Sequence, residues 1–391
     1  DGVLDLGGDT YNELLTPASS NCTVQNGIID GLGAIAQGIV IGPTYEGVTL
    51  KNLTVRNVQN RGVYAYRSSP LDASLHLGLV MVDCVIDNVG DPDTGTYTLQ
   101  NGLRLVGSNC IIRRTRITNI GGDGVYTEGA NQEFDSVHIE TVDTAGVLGG
   151  DCIQSVSNNG AESYINLHDS VLIMGNANPT KQCVMLNQNT SVINTSRVVN
   201  NVIDGGVFNV TAQQQCVIEG NLLKGTCLQR VVQVELKNPG ATVRVAGNII
   251  EAETGTPAFD TVIIIGTSAA GVIDVCNNTF ITSPTRDYIE SFDAVGSTVN
   301  AYNNAFIVAP ARFYINNSTA TLSNDYNLYP GGVVSGESNG IAQDVTLDAD
   351  YVIQGGVGAD VGTKWWTGTA PYSYTGLQFP DTNIDIGGVQ T

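Results

Sequence analysis

The stretches that decide the fold are NLLKG (221–225), NIIEA (248–252), NTFIT (278–282), NAFIV (304–308) and NLYPG (327–331). Each opens on an asparagine just ahead of apolar residues, and Asn221, Asn248, Asn278, Asn304 and Asn327 are spaced by 27, 30, 26 and 23 residues. A second series keeps the same beat: GIVIG (38–42), GVYAY (62–66), GLRLVG (102–107), GVYTEG (124–129), CIQSV (152–156), CVMLN (183–187), VFNVT (207–211), VVQVE (231–235), VIIIG (262–266), IESF (289–292) and FYIN (313–316). Its starts lie 22 to 31 residues apart, with one interval of 40. Two registers sharing one period mean that each repeat holds several short strands joined by tight turns.

That period sorts the repeat architectures. A helical solenoid needs stretches of 3.6-residue periodicity, and none occurs between Ile39 and Leu328. A propeller blade takes about 40 residues, and a leucine-rich repeat needs a leucine pattern that is absent here. Short Val-, Ile-, Thr- and Asn-rich runs with Gly-marked turns predict a parallel β-helix, an all-β stack of about 11–12 coils each about 4.8 Å from the next. Asparagines at the same turn of successive coils would then stack their amides in a ladder. Residues 1–35 are expected to form an N-terminal cap and first coil, 36–329 the β-helix, and 330–391 a Gly- and aromatic-rich cap holding Lys364, Trp365, Trp366, Tyr372 and Tyr374.

Composition narrows function. The 391 residues carry 38 acidic against 17 basic side chains, a formal charge of −21, so neither nucleic acid nor an anionic membrane is an expected partner. No apolar run approaches membrane-spanning length, and no basic-then-apolar leader opens the chain, so Asp1 is expected to be a mature or trimmed end. Excess sequence at 67–76, 90–100, 157–163 and 175–181 flanks the second strand series and predicts two walls of a groove over the coils of residues 102–187.

The coil pattern and asparagine series, over about residues 20–330, resemble the pectin-lyase-like superfamily of right-handed parallel β-helices, which includes pectate lyases, polygalacturonases and phage tailspike depolymerases. GGDGVYT (121–127) and GGDCIQS (149–155) are similar to the two catalytic coils of polygalacturonase-type hydrolases, which read roughly Asn-Thr-Asp-Gly and Gly-Asp-Asp-Cys-Ile. The resemblance implies Asp123 and Asp151 as catalytic carboxylates. Gly150 stands where that family has the first Asp of its pair, Gln182 where it has a His, and VFNVT lacks its Arg-Ile-Lys triplet. The likeness to tailspikes implies a homotrimer and an extracellular or virion location.

Side chains alternate in and out along a strand. Val125 and Thr127 are expected to face the core, with Tyr126 and Glu128 outside. The same phase puts Tyr64, Tyr66, Arg104, Gln154, Met185, Asn187, Asn209, Gln233 and Glu235 on one exterior face. Tyrosine rings pack on pyranose faces and amides or guanidinium groups bond hydroxyls, so this face predicts polysaccharide binding, with Arg67 and Lys181 at its margins. Asp123 and Asp151 precede equivalent strands and should lie about 5 Å apart, close enough to split their pKa values and supply the acid and the base or nucleophile of glycoside hydrolysis. Glu128 is the reserve carboxylate. The competing reading is that both aspartates cap turns, which Gly-Gly-Asp favours.

A lyase is the second reading: Arg104, with Arg61, Arg67 and Lys181 nearby, would neutralise a uronate, or calcium would bridge it at Asp87, Asp91 and Asp93. A carbohydrate-binding adhesin or fibre using the same tyrosines is the third. Hydrolysis needs no cofactor. The eight cysteines are expected as buried thiols, with Cys152 and Cys183 at equivalent places in neighbouring coils.

Overall fold

Val, Ile, Leu and Thr at alternate positions bury one face of the short strands, and left-handed residues such as Asn88, Asn119 and Asn200 stand at their ends. In the computed structural model the description covers residues 3–12, 14–67, 73–90, 100–142, 150–157, 162–175, 182–188, 195–213, 215–227, 229–251, 253–254, 261–266, 269–281, 287–292, 296–308, 312–317, 319–330 and 338–342. Among these residues there is no helix, and the named strand pairings are parallel, joining one coil to the next. The insertions expected to wall a groove fall largely outside the described residues, as does 343–391 with its tryptophans.

The chain divides into two compact units, the first reaching residue 194 and including 205–207, the second comprising 195–204 and the residues from 208 onward. In the first unit the strands Gln37–Ile41, Arg61–Tyr66, Asn101–Val106, Asp123–Glu128, Ile153–Ser157 and Val184–Gln188 run side by side in sequence order. Val63, Leu103, Val125, Ile153 and Val184 stack in register and are fully buried. Full burial of such side chains stabilises by about 1.5–3 kcal/mol each. Each coil continues through two further strands, as in Ile111–Arg113 and Arg116–Ile120.

In the second unit the corresponding face is Val210–Ala212, Val232–Val234, Thr261–Ile265, Asp287–Phe292 and Arg312–Asn317. Its other strands meet at a bend where a left-handed residue precedes an asparagine: Asn200, Gly220, Gly247, Asn277, Asn303 and Tyr326 have φ between 56° and 64°. Glycine, or asparagine with its local hydrogen bonding, suits that conformation. The asparagine that follows is fully or almost fully buried in every coil. The backbone N–H of Asn221 donates to Asn248 Oδ1 at 2.9 Å, that of Asn248 to Asn278 Oδ1 at 3.1 Å, and that of Asn278 to Asn304 Oδ1 at 3.1 Å. The ladder also reaches Asn201 at one end and Asn327 at the other. Beneath it Phe280, Phe306 and Tyr329 stack at 4.9 and 5.3 Å, one ring per coil.

The first unit solves the same bend differently. Its left-handed residues Asp83, Arg114 and Asp169 precede Cys84, Thr115 and Ser170, whose Sγ or Oγ atoms donate to the carbonyl two residues back. The eight cysteines are free buried thiols, and Cys152 Sγ donates to Cys183 Sγ at 3.8 Å with no disulfide between them.

Candidate functional site

Register on the first unit's face brings Tyr64, Arg104, Tyr126, Gln154 and Met185 into one row, each in the coil beside the last. These side chains are half-buried and face outward, whereas Val125 and Thr127 are wholly buried. Tyr66 lies two residues beyond Tyr64, with the rings stacked at 4.6 Å and 20°. The Arg104 guanidinium sits 4.7 Å from the Tyr126 ring centroid and 5.9 Å from that of Tyr64, and Arg61 lies 4.5 Å from the Tyr64 centroid. Tyr126 donates its hydroxyl to Glu128 Oε1 at 2.9 Å, and Arg104 Nη2 stands 3.9 Å from the same oxygen. Arg67 pairs with the half-exposed Glu46 at 3.4 Å. Burial raises the Tyr64 hydroxyl pKa above its usual value, against the pull of Arg104 and Arg61, so the phenol stays neutral.

The aspartates are neighbours, as their register requires, but their oxygens serve the backbone. Asp123 Oδ1 accepts the N–H of Asp151 at 2.9 Å, and Asp123 Oδ2 accepts Asn101 Nδ2 at 3.0 Å. Asp151 Oδ1 in turn accepts the N–H of Gln182 at 2.8 Å. Asp151 is 2% exposed, so a glycan lying on the face cannot reach it. The pair is an inter-coil turn ladder like that of the asparagines, which corrects the expectation of an exposed acid–base pair. Gly150 follows from the same closeness: a β-carbon there would run into the Gly122 carbonyl, so the aspartate found at this place in polygalacturonases has no room.

Other expected residues separate. Asn209 is wholly buried at the turn before Val210–Ala212, where its Nδ2 donates to the Lys224 carbonyl at 3.3 Å; it is not on the surface. Gln233 faces outward in the second unit, not in the row of the first unit, and its in-register neighbours Thr211 and Ile264 are 3% and 9% exposed. Asn187 is half-buried at the end of the first unit's face. Lys181 lies outside the described residues, as do Asp91 and Asp93, while Asp87 accepts bonds from Thr118 and Asn119. Glu46 is the residue of the cluster that the sequence reading did not name, and Arg61, expected only at the margin of the face, lies over the Tyr64 ring.

The family model described as a right-handed beta helix region matches residues 37–223. With the parallel coil-to-coil pairings, this makes the fold a right-handed parallel β-helix. No curated protein sequence matches it. Solved structures similar to it include PfbA, a surface adhesin of Streptococcus pneumoniae, at 11% identity and a TM-score of 0.45 over 84% of each chain. A double mutant of the tailspike protein of E. coli bacteriophage HK620, in complex with pentasaccharide, is similar at 12% identity and a TM-score of 0.41, over 85% of this chain and 60% of that one. No helix among the described residues is long and apolar enough to cross a membrane.

Proposed function

We propose that this β-helix binds an extracellular polysaccharide along the face of Tyr64, Tyr66, Arg104, Tyr126 and Glu128. The observation that carries the reading is the stack of rings and guanidinium groups across three successive coils, at 4.5 to 5.9 Å from ring to ring or ring to cation. Half-exposed tyrosines offer flat apolar platforms for sugar rings, and the arginine and carboxylate rims bond hydroxyls. Because the side chains already hold one another in place, little rotamer freedom is lost on binding.

One observation favours cleavage of the bound glycan as well. Glu128 presents a carboxylate whose side chain is 11% exposed, held by the Tyr126 hydroxyl and beside Arg104, next to the ring on which a sugar would lie. Glycoside hydrolysis uses such carboxylates. Asp123 begins the same strand five residues earlier, about 16 Å along it, too far to be the partner acid. Glu46, at the border with Arg67, is the second carboxylate of the cluster. Hydrolysis ranks ahead of β-elimination, since a chain of charge −21 repels a polyuronate over most of its surface.

The test is incubation of the full chain with bacterial capsular, plant and algal polysaccharides, following binding, reducing-end release and the ultraviolet absorbance of an unsaturated uronate. Arg104→Ala and Tyr126→Ala should weaken binding, and Glu128→Gln should bind without releasing reducing ends. A glycan bound equally well by all three variants would overturn the assignment of the face; uronate absorbance would replace the hydrolase with a lyase.

A further inference from the structure

We propose that Arg61 and Arg104, both lying over the Tyr64 ring, form an oxyanion subsite that takes a carboxylate or sulfate substituent of the bound glycan. The inference rests on the glycan-binding reading and gives it a substrate class.

Arg61 starts the strand Arg61–Tyr66, in register with Asn101 and, one coil further, Asp123. Alternation would turn it inward with Val63 and Ala65, yet its guanidinium lies over Tyr64, which faces outward. It is 9% exposed, its Nε has no hydrogen-bond partner, and among the described residues no carboxylate pairs with it. The acids nearby are committed. Asp123 holds Asn101 and the Asp151 N–H, Glu128 faces Arg104 and Tyr126, and Glu46 faces Arg67. Tyr64 is kept neutral and supplies only its ring quadrupole. Burial first, and the like charge of Arg104 second, push the Arg61 guanidinium below its usual pKa, which marks a cation without its counter-charge.

A buried, uncompensated cation is costly unless something pairs with it. An oxyanion would supply the missing charge and accept the idle guanidinium hydrogens in charge-assisted bonds. The surrounding charge of −21 makes such a place necessary for any anionic ligand, because the long-range field opposes its approach and fades only over about 8 Å at physiological ionic strength.

The experiment uses the full chain with Arg61→Met, which keeps the bulk and removes the charge, and Arg61→Lys, which keeps the charge without the fork. Probes are sodium glucuronate, sodium sulfate, and neutral, uronate-bearing and sulfated oligosaccharides of equal length, followed by thermal shift and calorimetry. Anion alone should raise the melting temperature of the wild type and leave Arg61→Met unmoved. Ligand-free Arg61→Met should melt no lower than the wild type, since an unpaired charge has gone. Acidic oligosaccharides should bind Arg61→Met roughly ten- to a hundredfold more weakly, with Arg61→Lys in between. The stronger of the carboxylate and sulfate arms identifies the substituent. Equal binding of neutral and acidic oligosaccharides, unchanged in Arg61→Met, overturns the subsite and leaves glycan binding standing. An Arg61-dependent shift with free anion but no binding of any oligosaccharide upholds the subsite and removes the glycan reading. No response to anion or glycan overturns both.

Discussion

Replacing Asn248 by alanine tests the frame on which the site is built. The wholly buried Asn248 amide serves four hydrogen bonds: Nδ2 donates to the Ile218 carbonyl at 2.9 Å and to Asn278 Oδ1 at 3.0 Å, while Oδ1 accepts the N–H and Nδ2 of Asn221, both at 2.9 Å. Asn278 Oδ1 keeps a donor after truncation, the Asn248 backbone N–H at 3.1 Å. Two donors of Asn221 lose their acceptor in a place without water, and each such orphan costs about 1–3 kcal/mol, so the expected loss is about 4 kcal/mol. The control is Asn52→Gly: Asn52 is exposed at φ 51°, its Nδ2 bond to Asn26 Oδ1 is open to water, and glycine keeps the left-handed turn. That change should cost less than about 1 kcal/mol. Urea unfolding followed by far-ultraviolet circular dichroism reads both, the midpoint giving the loss where the slope is unchanged. A loss below about 1 kcal/mol for Asn248→Ala, or an equal loss for Asn52→Gly, would refute the inference that the buried amides hold the coils in register.

Asp123→Ala should lower stability by about 1–3 kcal/mol in urea unfolding by orphaning the Asp151 N–H, and leave glycan affinity within about twofold; loss of cleavage at full stability would restore the catalytic reading. Gly150→Ala should destabilise by about 2 kcal/mol or more, because the new methyl meets the Gly122 carbonyl; an unchanged urea midpoint would show that the turn is slack. Burial pushes the Cys84 thiol to about 11 and those of Cys110 and Cys216 to about 12, against an ordinary 9.0. The unfolded chain therefore releases those protons first, so stability is full below pH 9 and falls as pH rises toward 12; a urea midpoint constant over that window would contradict their burial.

Much of the fold is legible in the residues because each coil must repeat the same solution. A buried bend that needs an amide shows as Asn221, Asn248, Asn278, Asn304 and Asn327, and the same signal sits unread in Asn200 and Asn201, twenty residues earlier. The outward phase of Tyr64, Arg104, Tyr126 and Gln154 follows from strict alternation inside a strand. It fails where the strand has not yet begun: Val207, Phe208 and Asn209 are all buried at a turn, so alternation cannot be carried back from Val210. The lateral meeting of Asp123 and Asp151 follows from register, but their role does not, because the backbone N–H groups that occupy their oxygens belong to the next coil and leave no mark in the sequence. Arg61 was legible as a cation beside the face but not as part of it: its position predicts an inward side chain, whereas its guanidinium lies over the Tyr64 ring.

Hydroxyl-radical footprinting of the full chain, with and without a polysaccharide that binds it, tests the central claim most directly. Oxidation of Tyr64, Tyr66 and Tyr126 should fall several-fold with the glycan bound, while Tyr302, half-buried in the second unit, keeps its rate. Protection at other residues, with Tyr64, Tyr66 and Tyr126 oxidised as fast as in the free protein, would contradict the account.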